Sequence, residues 1–204
     1  MRESSSRTIG RLSQESDERV VELCLAEGSE HFAELVHRYR EPIYGLALHL
    51  TGDAEEARDL AQQSFVKAFC ALSGFRAGYK FSNWLYTIAA NLCRSWLRTQ
   101  KHRPVSIEGT FPDPETLPSE AAMTESPAEV HSRDELRQMV LAAVNGLPTK
   151  YRVVVVLKHL NDLSYKEIAG ILKLPTSTVE HRLRTAREML RERLGDAFEL
   201  EPDD

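Results

Sequence analysis

The sequence has no long apolar run and few cysteines. No segment approaches the roughly 20 apolar residues that a helix needs to span a bilayer, and the N-terminal stretch has no apolar core typical of a secretion signal. Cys24, Cys70 and Cys93 are odd in number and widely spaced, which argues against a disulfide framework and against a Cys-x-x-Cys metal clip. We therefore expect a cytoplasmic protein, not inserted in a membrane, with reduced and mostly buried thiols.

The usual sequence signs of catalysis are also missing. There is no Gly-rich phosphate loop, no paired-carboxylate site and no metal-ligand spacing, and the seven histidines are scattered. We expect no catalytic residue, no metal, no cofactor and no enzymatic activity. The 204 residues, 42% hydrophobic and 28% charged, suit a soluble globular chain with one large or two small domains.

Charge is segregated along the chain, although the overall net charge is only −5. Between residues 105 and 135, eight acidic residues stand against the single Arg133. Between residues 76 and 103 there are six basic residues and no acidic one. Such segregation is expected when one segment contacts phosphates and another must avoid them. The acidic total therefore does not exclude a nucleic-acid partner.

Helical periodicity organises the first half of the chain. Apolar residues recur at spacings of three and four over 17–26, 32–50, 57–72 and 82–99. Asp53 and Glu56 predict a capping box at the start of the third helix, which we expect Gly74 to end. An aromatic and Gly-rich loop, residues 75–81, leads into the fourth helix.

The periodicity disappears between about residues 102 and 128, where five of the nine prolines lie among acidic and small polar residues. It returns at a predicted capping box, Ser132 with Glu135. The run Val153–Val156 favours a strand locally, but it is short, solitary and flanked by helical patterns, so we predict a helix.

The expected fold is therefore all-α, with two small helical domains joined by a flexible acidic, Pro-rich linker. We predict a disordered tail over residues 1–15, a first domain over 16–102, a linker over 103–130, a second domain over 131–196 and an acidic tail over 197–204.

Residues 164–183 predict a helix-turn-helix. Ser164 and Glu167 cap a short helix, and Pro175 opens a longer one whose outer side is polar and basic. A recognition helix reads base edges in the major groove with such side chains. The alternative is an ordinary helical hairpin with a solvated basic face. The candidate DNA-binding residues are Ser177, Thr178, His181, Arg182, Arg184, Thr185 and Arg187.

A second cationic surface is predicted on the helix after the aromatic loop. Thr87, Asn91, Arg94, Arg98 and Lys101 recur at helical spacing and share one face, next to Tyr79, Lys80, Phe81 and Trp84 in and after the loop. Aromatic rings beside a phosphate-tracking stripe are typical of single-strand binding. The alternative for each aromatic residue alone is core packing. We predict that Tyr79, Lys80, Phe81 and Asn91 contact bases and that Arg94, Arg98 and Lys101 contact phosphates.

An acidic and amide face is predicted on the preceding helix. Its residues are Glu55, Glu56, Asp59, Gln62 and Gln63. From patterning alone, a solvated face explains them equally well.

These segments resemble the bacterial sigma factors of the extracytoplasmic-function type, in the sigma-70 family, over nearly the whole chain. Residues 59–68 look like the family's core-polymerase-binding helix, which docks on a coiled coil of the β′ subunit. Residues 75–91 are similar to the part that melts and captures the minus-ten element. Leu147-Pro148, Tyr151-Arg152 and the helix-turn-helix match the domain that binds the minus-thirty-five element.

The resemblance implies an alternative sigma factor with four features. It would bind core RNA polymerase through β′ and β, with Glu55 to Gln63 at the β′ contact, and it would recognise promoter DNA and help to open it. It would be a monomer when free, and it would be held inactive by an anti-sigma factor, often membrane-anchored. By the same resemblance, the acidic linker would thread toward the RNA exit path.

Two departures from the family pattern stand out. Gln63-Ser64 replaces Glu followed by a hydrophobic residue or Thr, and Glu180 and Thr185 replace frequent cations.

A ligand-responsive, dimeric helix-turn-helix regulator is the alternative function. It would bind a palindrome and would need no polymerase.

Overall fold

The computed structural model describes residues 12, 14–76, 78–100 and 138–195, and every regular element in these ranges is a helix. The N-terminal group comprises α1 (Asp17–Ala26), α2 (Phe32–Thr51), α3 (Ala54–Cys70) and α4 (Phe81–Gln100), with short 3₁₀ turns at Ser29–His31 and Leu72–Gly74. The C-terminal group comprises α5 (138–145), α6 (Thr149–His159), α7 (Tyr165–Leu172) and α8 (Thr176–Leu194). The all-α prediction is confirmed.

Local sequence signals set the boundaries of the N-terminal helices. The side chain of Ser16 accepts a hydrogen bond from the backbone N–H of Arg19, and Asp53 accepts from Glu55 and Glu56, so both serve as N-caps. Gly52 ends α2 in the left-handed region, with φ of 73°. The prediction that α3 extends to Gly74 was wrong, because the chain tightens into a 3₁₀ turn after Cys70.

The core of the N-terminal group lies between α2, α3 and α4, which pack against one another, with α1 covering one side. Leu35, Ile43, Leu46, Leu50 and Leu85 are fully buried. Phe69, expected in the apolar stripe of α3, is instead 44% exposed and packs edge-on against Phe32. Cys24 and Cys93 are buried, whereas Cys70 is exposed, so the expectation about the thiols holds for two of the three.

The C-terminal group is built around α6 and α8. Val153–Val156 are buried within α6, which confirms the helix that we predicted against local strand propensity, because burial among helices outweighs that propensity. Ser164 and Glu167 form the expected capping box at the start of α7. Val179, Leu183, Ala186 and Leu190 form the buried side of α8.

The two groups pack against each other, an arrangement that the sequence left open. Helix α4 contacts α6 and α7, and α2 contacts α6. The hydroxyl of Tyr86 donates to Asn161 Oδ1 at 2.8 Å, and Arg152 donates to the carbonyl of Leu50 at 3.0 Å. The aromatic loop and the helix-turn-helix therefore face each other.

Several predictions fall outside the described residues. They are the linker over 103–130, the capping box at Ser132 and Glu135, Lys101, and most of the two predicted tails. In the described ranges, no helix is both long enough and apolar enough to cross a membrane.

Candidate nucleic-acid interface

The aromatic loop is anchored by rings that pack on each other. The Phe75 ring lies 5.4 Å from that of Trp84 and 6.0 Å from that of Phe81, and the ring of Tyr39 approaches Phe81 from α2 at 5.9 Å. Phe81 is 0% exposed. Its predicted contact with bases is corrected, because the ring fills the core at the start of α4 and is not available to a ligand. Trp84 is half-buried in the same cluster.

Tyr79 is presented to solvent by the anchored loop. Its side chain is 66% exposed, and its backbone N–H donates to the carbonyl of Arg76 at 3.4 Å. Gly78, with φ of 91°, adopts a conformation that other residues rarely take, so the turn needs glycine there. An exposed ring next to a buried cluster is a suitable platform for stacking a base.

The polar stripe of α4 continues from the loop. Asn91, Arg94 and Arg98 are exposed, whereas Thr87 is half-buried and its hydroxyl donates to the carbonyl of Asn83 at 2.7 Å. Thr87 therefore has less hydrogen-bonding capacity left for a ligand than the other three. The stripe predicted from spacing is present as far as the structure describes it.

The loop faces α7 across a cavity of about 930 Å³. Its lining includes Tyr79, Trp84 and Thr87 from the N-terminal group and Lys166 and Glu167 from α7. Lys80 Nζ lies 2.7 Å from Glu167 Oε1. Hydrogen bonds from Lys80 and from Ser164 lower the pKa of Glu167 to about 2, and the carboxylate in turn raises the pKa of Lys80. Lys80, predicted to contact bases, is engaged by a carboxylate of the helix-turn-helix in this arrangement.

The outer side of α8 carries the residues predicted for duplex recognition. Ser177, His181 and Arg184 are exposed, while Thr178, Arg182, Thr185 and Arg187 are half-buried. The side chains of His181 and Arg184 are joined, with Nδ1 and a guanidinium nitrogen 3.2 Å apart. Such a pair can present two donors side by side to base edges.

A second cavity, of about 690 Å³, brings together cations of both groups. The described residues that line it include five basic side chains and no carboxylate: Arg94, Arg98, Lys150, Arg152 and Arg182. Lys150 and Arg152 were not among the predicted site residues, because α6 is separated from α4 in the sequence by more than forty residues. Of the two, only Arg152 was singled out in the sequence, where Tyr151-Arg152 matches the family's domain that binds the minus-thirty-five element.

Arg152, at the lining of this cavity, donates hydrogen bonds to three backbone carbonyls. Its guanidinium donates to the carbonyls of Leu50, Asn145 and Leu147, at 3.0 Å for the first and 3.1 Å for the last. Burial, together with the charge of Arg193, lowers the pKa of Arg152. These carbonyls belong to both helix groups, so Arg152 helps to hold the two groups together.

The acidic and amide face of α3 lies on the outside of the N-terminal group. Glu55, Asp59, Gln62 and Gln63 are exposed and Glu56 is half-buried, as expected for a contact surface or a solvated face. Ser64 is only 1% exposed, and its hydroxyl donates to the carbonyl of Leu60 at 2.7 Å. The departure from the family pattern at this position is therefore accommodated in the core.

Apolar side chains continue this face, and periodicity alone did not identify them. Val66 is 55% exposed, and beside it lies a groove of about 440 Å³ lined by Val36, Tyr44 and Phe65. Large exposed apolar residues next to charged ones are typical of a protein contact. Val66 lies outside the predicted apolar stripe of α3, so an apolar residue on the polar side of the helix was the signal available in the sequence.

Each of the two helix groups matches a family of known proteins. A profile described as sigma-70 region 2 matches residues 35–103, and one described as sigma-70 region 4 matches residues 137–190. The RNA polymerase sigma-H factor of Pseudomonas aeruginosa is 35% identical over 181 residues, which cover 88% of this chain and 94% of that protein. The ECF RNA polymerase sigma factor SigW of Bacillus subtilis is 36% identical, with 81% and 89% covered.

Two solved structures have a similar fold. CnrH, in complex with the cytosolic domain of CnrY, superposes with a TM-score of 0.65 at 25% identity and covers 87% of this chain and 96% of its own. The sigma factor RpoE of Bartonella quintana, in complex with the anti-sigma factor NepR, superposes with a TM-score of 0.61 at 23% identity and covers 82% of this chain and 98% of its own.

Proposed function

The chain belongs to the extracytoplasmic-function group of the sigma-70 family, and from this membership we propose that it is an alternative sigma factor that recruits core RNA polymerase to its promoters and helps to open them. Members of this family are initiation factors rather than enzymes. We propose the same for this chain, and we propose that it works in the cytoplasm, where polymerase and promoter DNA are found.

One observation carries the mechanism: the chain has two polar and cationic surfaces of different chemistry, both of which we propose bind nucleic acid. Helix α8 offers a polar and cationic outer side that suits the major groove of duplex DNA. The loop around Tyr79 and the stripe of α4 instead combine an exposed ring with cations, which suits unpaired bases. A regulator that only binds duplex DNA has no use for the second surface.

Strand opening follows from the second surface. A base taken out of the duplex stack loses a few kcal/mol of stacking, and one aromatic contact restores about 1–3 kcal/mol. We assign Tyr79, Lys80 and Asn91 to base contacts, and Arg94, Arg98 and Lys101 to phosphates of the non-template strand. Trp84 and Thr87, which line the same cavity as Tyr79 and Lys80, would complete the base-binding surface. Phe81 is assigned no base contact, because its ring is fully buried.

We propose that the outer side of α8 positions the protein on duplex DNA. We assign base-edge contacts to Ser177, Thr178, His181 and Arg184, and flanking contacts to Arg182, Thr185 and Arg187. Glu180 and Thr185 replace cations that are frequent in relatives. We therefore propose that this protein prefers an upstream DNA sequence different from those preferred by these relatives.

The face of α3 is proposed to bind polymerase. Glu55, Glu56, Asp59, Gln62 and Gln63 would contact the β′ coiled coil through charge and hydrogen bonds, and the neighbouring Val66 would supply apolar contact area. The helix-turn-helix group would contact the β subunit while it holds upstream DNA.

An anti-sigma factor is the proposed negative regulator. Family membership supports such a partner, and so do the uncovered surfaces that it would need to block, namely the face of α3 and the outer side of α8. A protein that covers both would prevent polymerase binding and promoter binding together.

The proposed function is tested by adding the purified protein to core RNA polymerase and scoring open complexes on promoters selected by the resulting holoenzyme. Replacing Arg94 and Arg98 with Ala should reduce melting and flatten its salt dependence, because fewer counterions are released. His181→Ala should instead change upstream sequence preference. Tight binding to a palindromic operator as a dimer, with no response to polymerase, would favour the regulator.

A further inference from the structure

Helix α1 contacts both ends of the loop that carries Tyr79. It packs against the 3₁₀ turn Leu72–Gly74 before the loop and against α4 after it. The region 2 profile begins at residue 35 and therefore does not include α1. A helix that braces both ends of a short loop restricts the shapes that the loop can take.

Glu18 makes the contact at the downstream end. Its Oε1 accepts a hydrogen bond from the backbone N–H of Phe81 at 3.1 Å. Phe81 is the first residue of α4, where N–H groups have no partner within the helix and where a negative charge is favourable. Glu18 therefore fixes the point at which the loop becomes helix, two residues after Tyr79.

The position of Glu18 is itself fixed, because its neighbour Asp17 is tied to α2. The carboxylate of Asp17 accepts from Arg38 at 2.8 Å and from the hydroxyl of Tyr39. Arg38 also donates to the buried carboxylate of Glu34 at 2.9 Å. The ring of Tyr39 packs on Phe81. The same residues thus hold α1 on α2 and support the start of α4.

We infer that Glu18 is a positioning residue for strand capture, through which α1 holds the loop in the shape that presents Tyr79 to an unpaired base. The inference rests on the function proposed for the loop. Glu18 acts through the backbone of Phe81 and does not itself touch the nucleic acid.

The test compares two DNA probes bound to the holoenzyme of each variant. One probe is a selected promoter fork with an unpaired non-template minus-ten segment, and the other is fully paired and carries only the upstream element. Glu18→Ala should weaken fork binding about three- to tenfold, the cost of losing one charged cap. Glu18→Gln should stay within about twofold of the wild type, because its amide oxygen can still accept the hydrogen bond. Paired-probe binding and polymerase affinity should not change for either variant.

Glu22→Ala is the matched control. Glu22 lies on the same helix, its carboxylate is exposed, and it pairs at 2.8 Å with Arg19 on the same helix. It should bind both probes like the wild type. Thermal unfolding of every variant is measured in parallel, so that loss of the fold is distinguished from loss of positioning.

Three outcomes would overturn the inference. In the first, Glu18→Ala weakens both probes by the same factor, which indicates a purely structural residue. In the second, Glu18→Ala keeps full fork binding while Tyr79→Ala loses it, which shows that the loop works without this brace. In the third, Tyr79→Ala also keeps full fork binding; the function proposed for the loop is then wrong, and the positioning role falls with it.

Discussion

At the scale of single residues, burial decides which side chains are available for chemistry. Phe81 and Tyr79 are two positions apart in a loop rich in aromatic residues, yet one ring is fully buried and the other is mostly exposed. The cysteines differ in the same way. Burial raises the pKa of Cys24 to about 11 and that of Cys93 to about 12, whereas Cys70 is exposed at the end of α3.

These differences predict the thiol reactivity of the native protein. At pH 8, Cys24 and Cys93 are almost entirely protonated and shielded, so iodoacetamide should modify only Cys70 in the native protein. In urea, where the fold is lost, it should modify all three cysteines. Mass spectrometry of the alkylated chain measures this. Cys70→Ser should leave the native chain unmodified, and rapid labelling of Cys93 would contradict the burial described here.

At the scale of elements, α7 depends on one carboxylate that has two roles. Glu167 closes the capping box with Ser164 and also pairs with Lys80 of the other helix group. Its folded-state pKa of about 2 lies below the usual value of about 4.3. The ionised form therefore stabilises the fold above about pH 4.3, and this stabilisation is lost as the pH falls toward 2.

Glu167→Gln should reveal this stabilisation. The amide can still accept from the Ser164 backbone but carries no charge, so the free energy of unfolding should fall by about 1 kcal/mol at pH 7. The difference from the wild type should shrink as the pH falls from about 4.3 toward 2, because the carboxyl group of the unfolded wild-type chain binds its proton first and the folded one follows only near pH 2. Urea unfolding at several pH values measures it, with the exposed Glu180→Gln as control. A difference that stays constant down to pH 2 would contradict the role of the charge.

At the scale of the whole molecule, the two surfaces proposed to bind DNA are too close together to work at once. Lys80, in the loop proposed to capture the unpaired strand, forms an ion pair with Glu167 of the helix-turn-helix. The minus-ten and minus-thirty-five elements are about 25 base pairs apart, or roughly 85 Å at 3.4 Å per base pair. The proposed function therefore requires the helix groups to separate before the protein can occupy both promoter elements.

This separation is measurable by energy transfer between two dyes. Cys70 is the exposed native thiol of the described chain, and a second label on Arg191→Cys reports from the far end of α8. Transfer should be efficient in the free protein and should fall in the holoenzyme on a promoter. A second pair, Cys70 with Arg19→Cys inside the N-terminal group, should not change. Unchanged transfer for the first pair at full promoter occupancy would show that the groups stay together.

The helices and most of the surface chemistry were predictable from the order of the amino acids alone. Periodicity and capping residues such as Ser16, Asp53 and Ser164 identify where helices begin, because these signals act within one turn of the chain. The stripe of α4 and the outer side of α8 were predictable for the same reason.

Features that depend on residues distant in the sequence became visible only in the packed fold. The burial of Phe81 requires Tyr39 from α2, the engagement of Lys80 requires Glu167 from α7, and the cationic cavity requires Lys150 and Arg152 from α6. Val153–Val156 show the same dependence, since local propensity favours a strand and packing among helices makes them helical. Periodicity reports which face of a helix is apolar, but it cannot report which other helix covers that face.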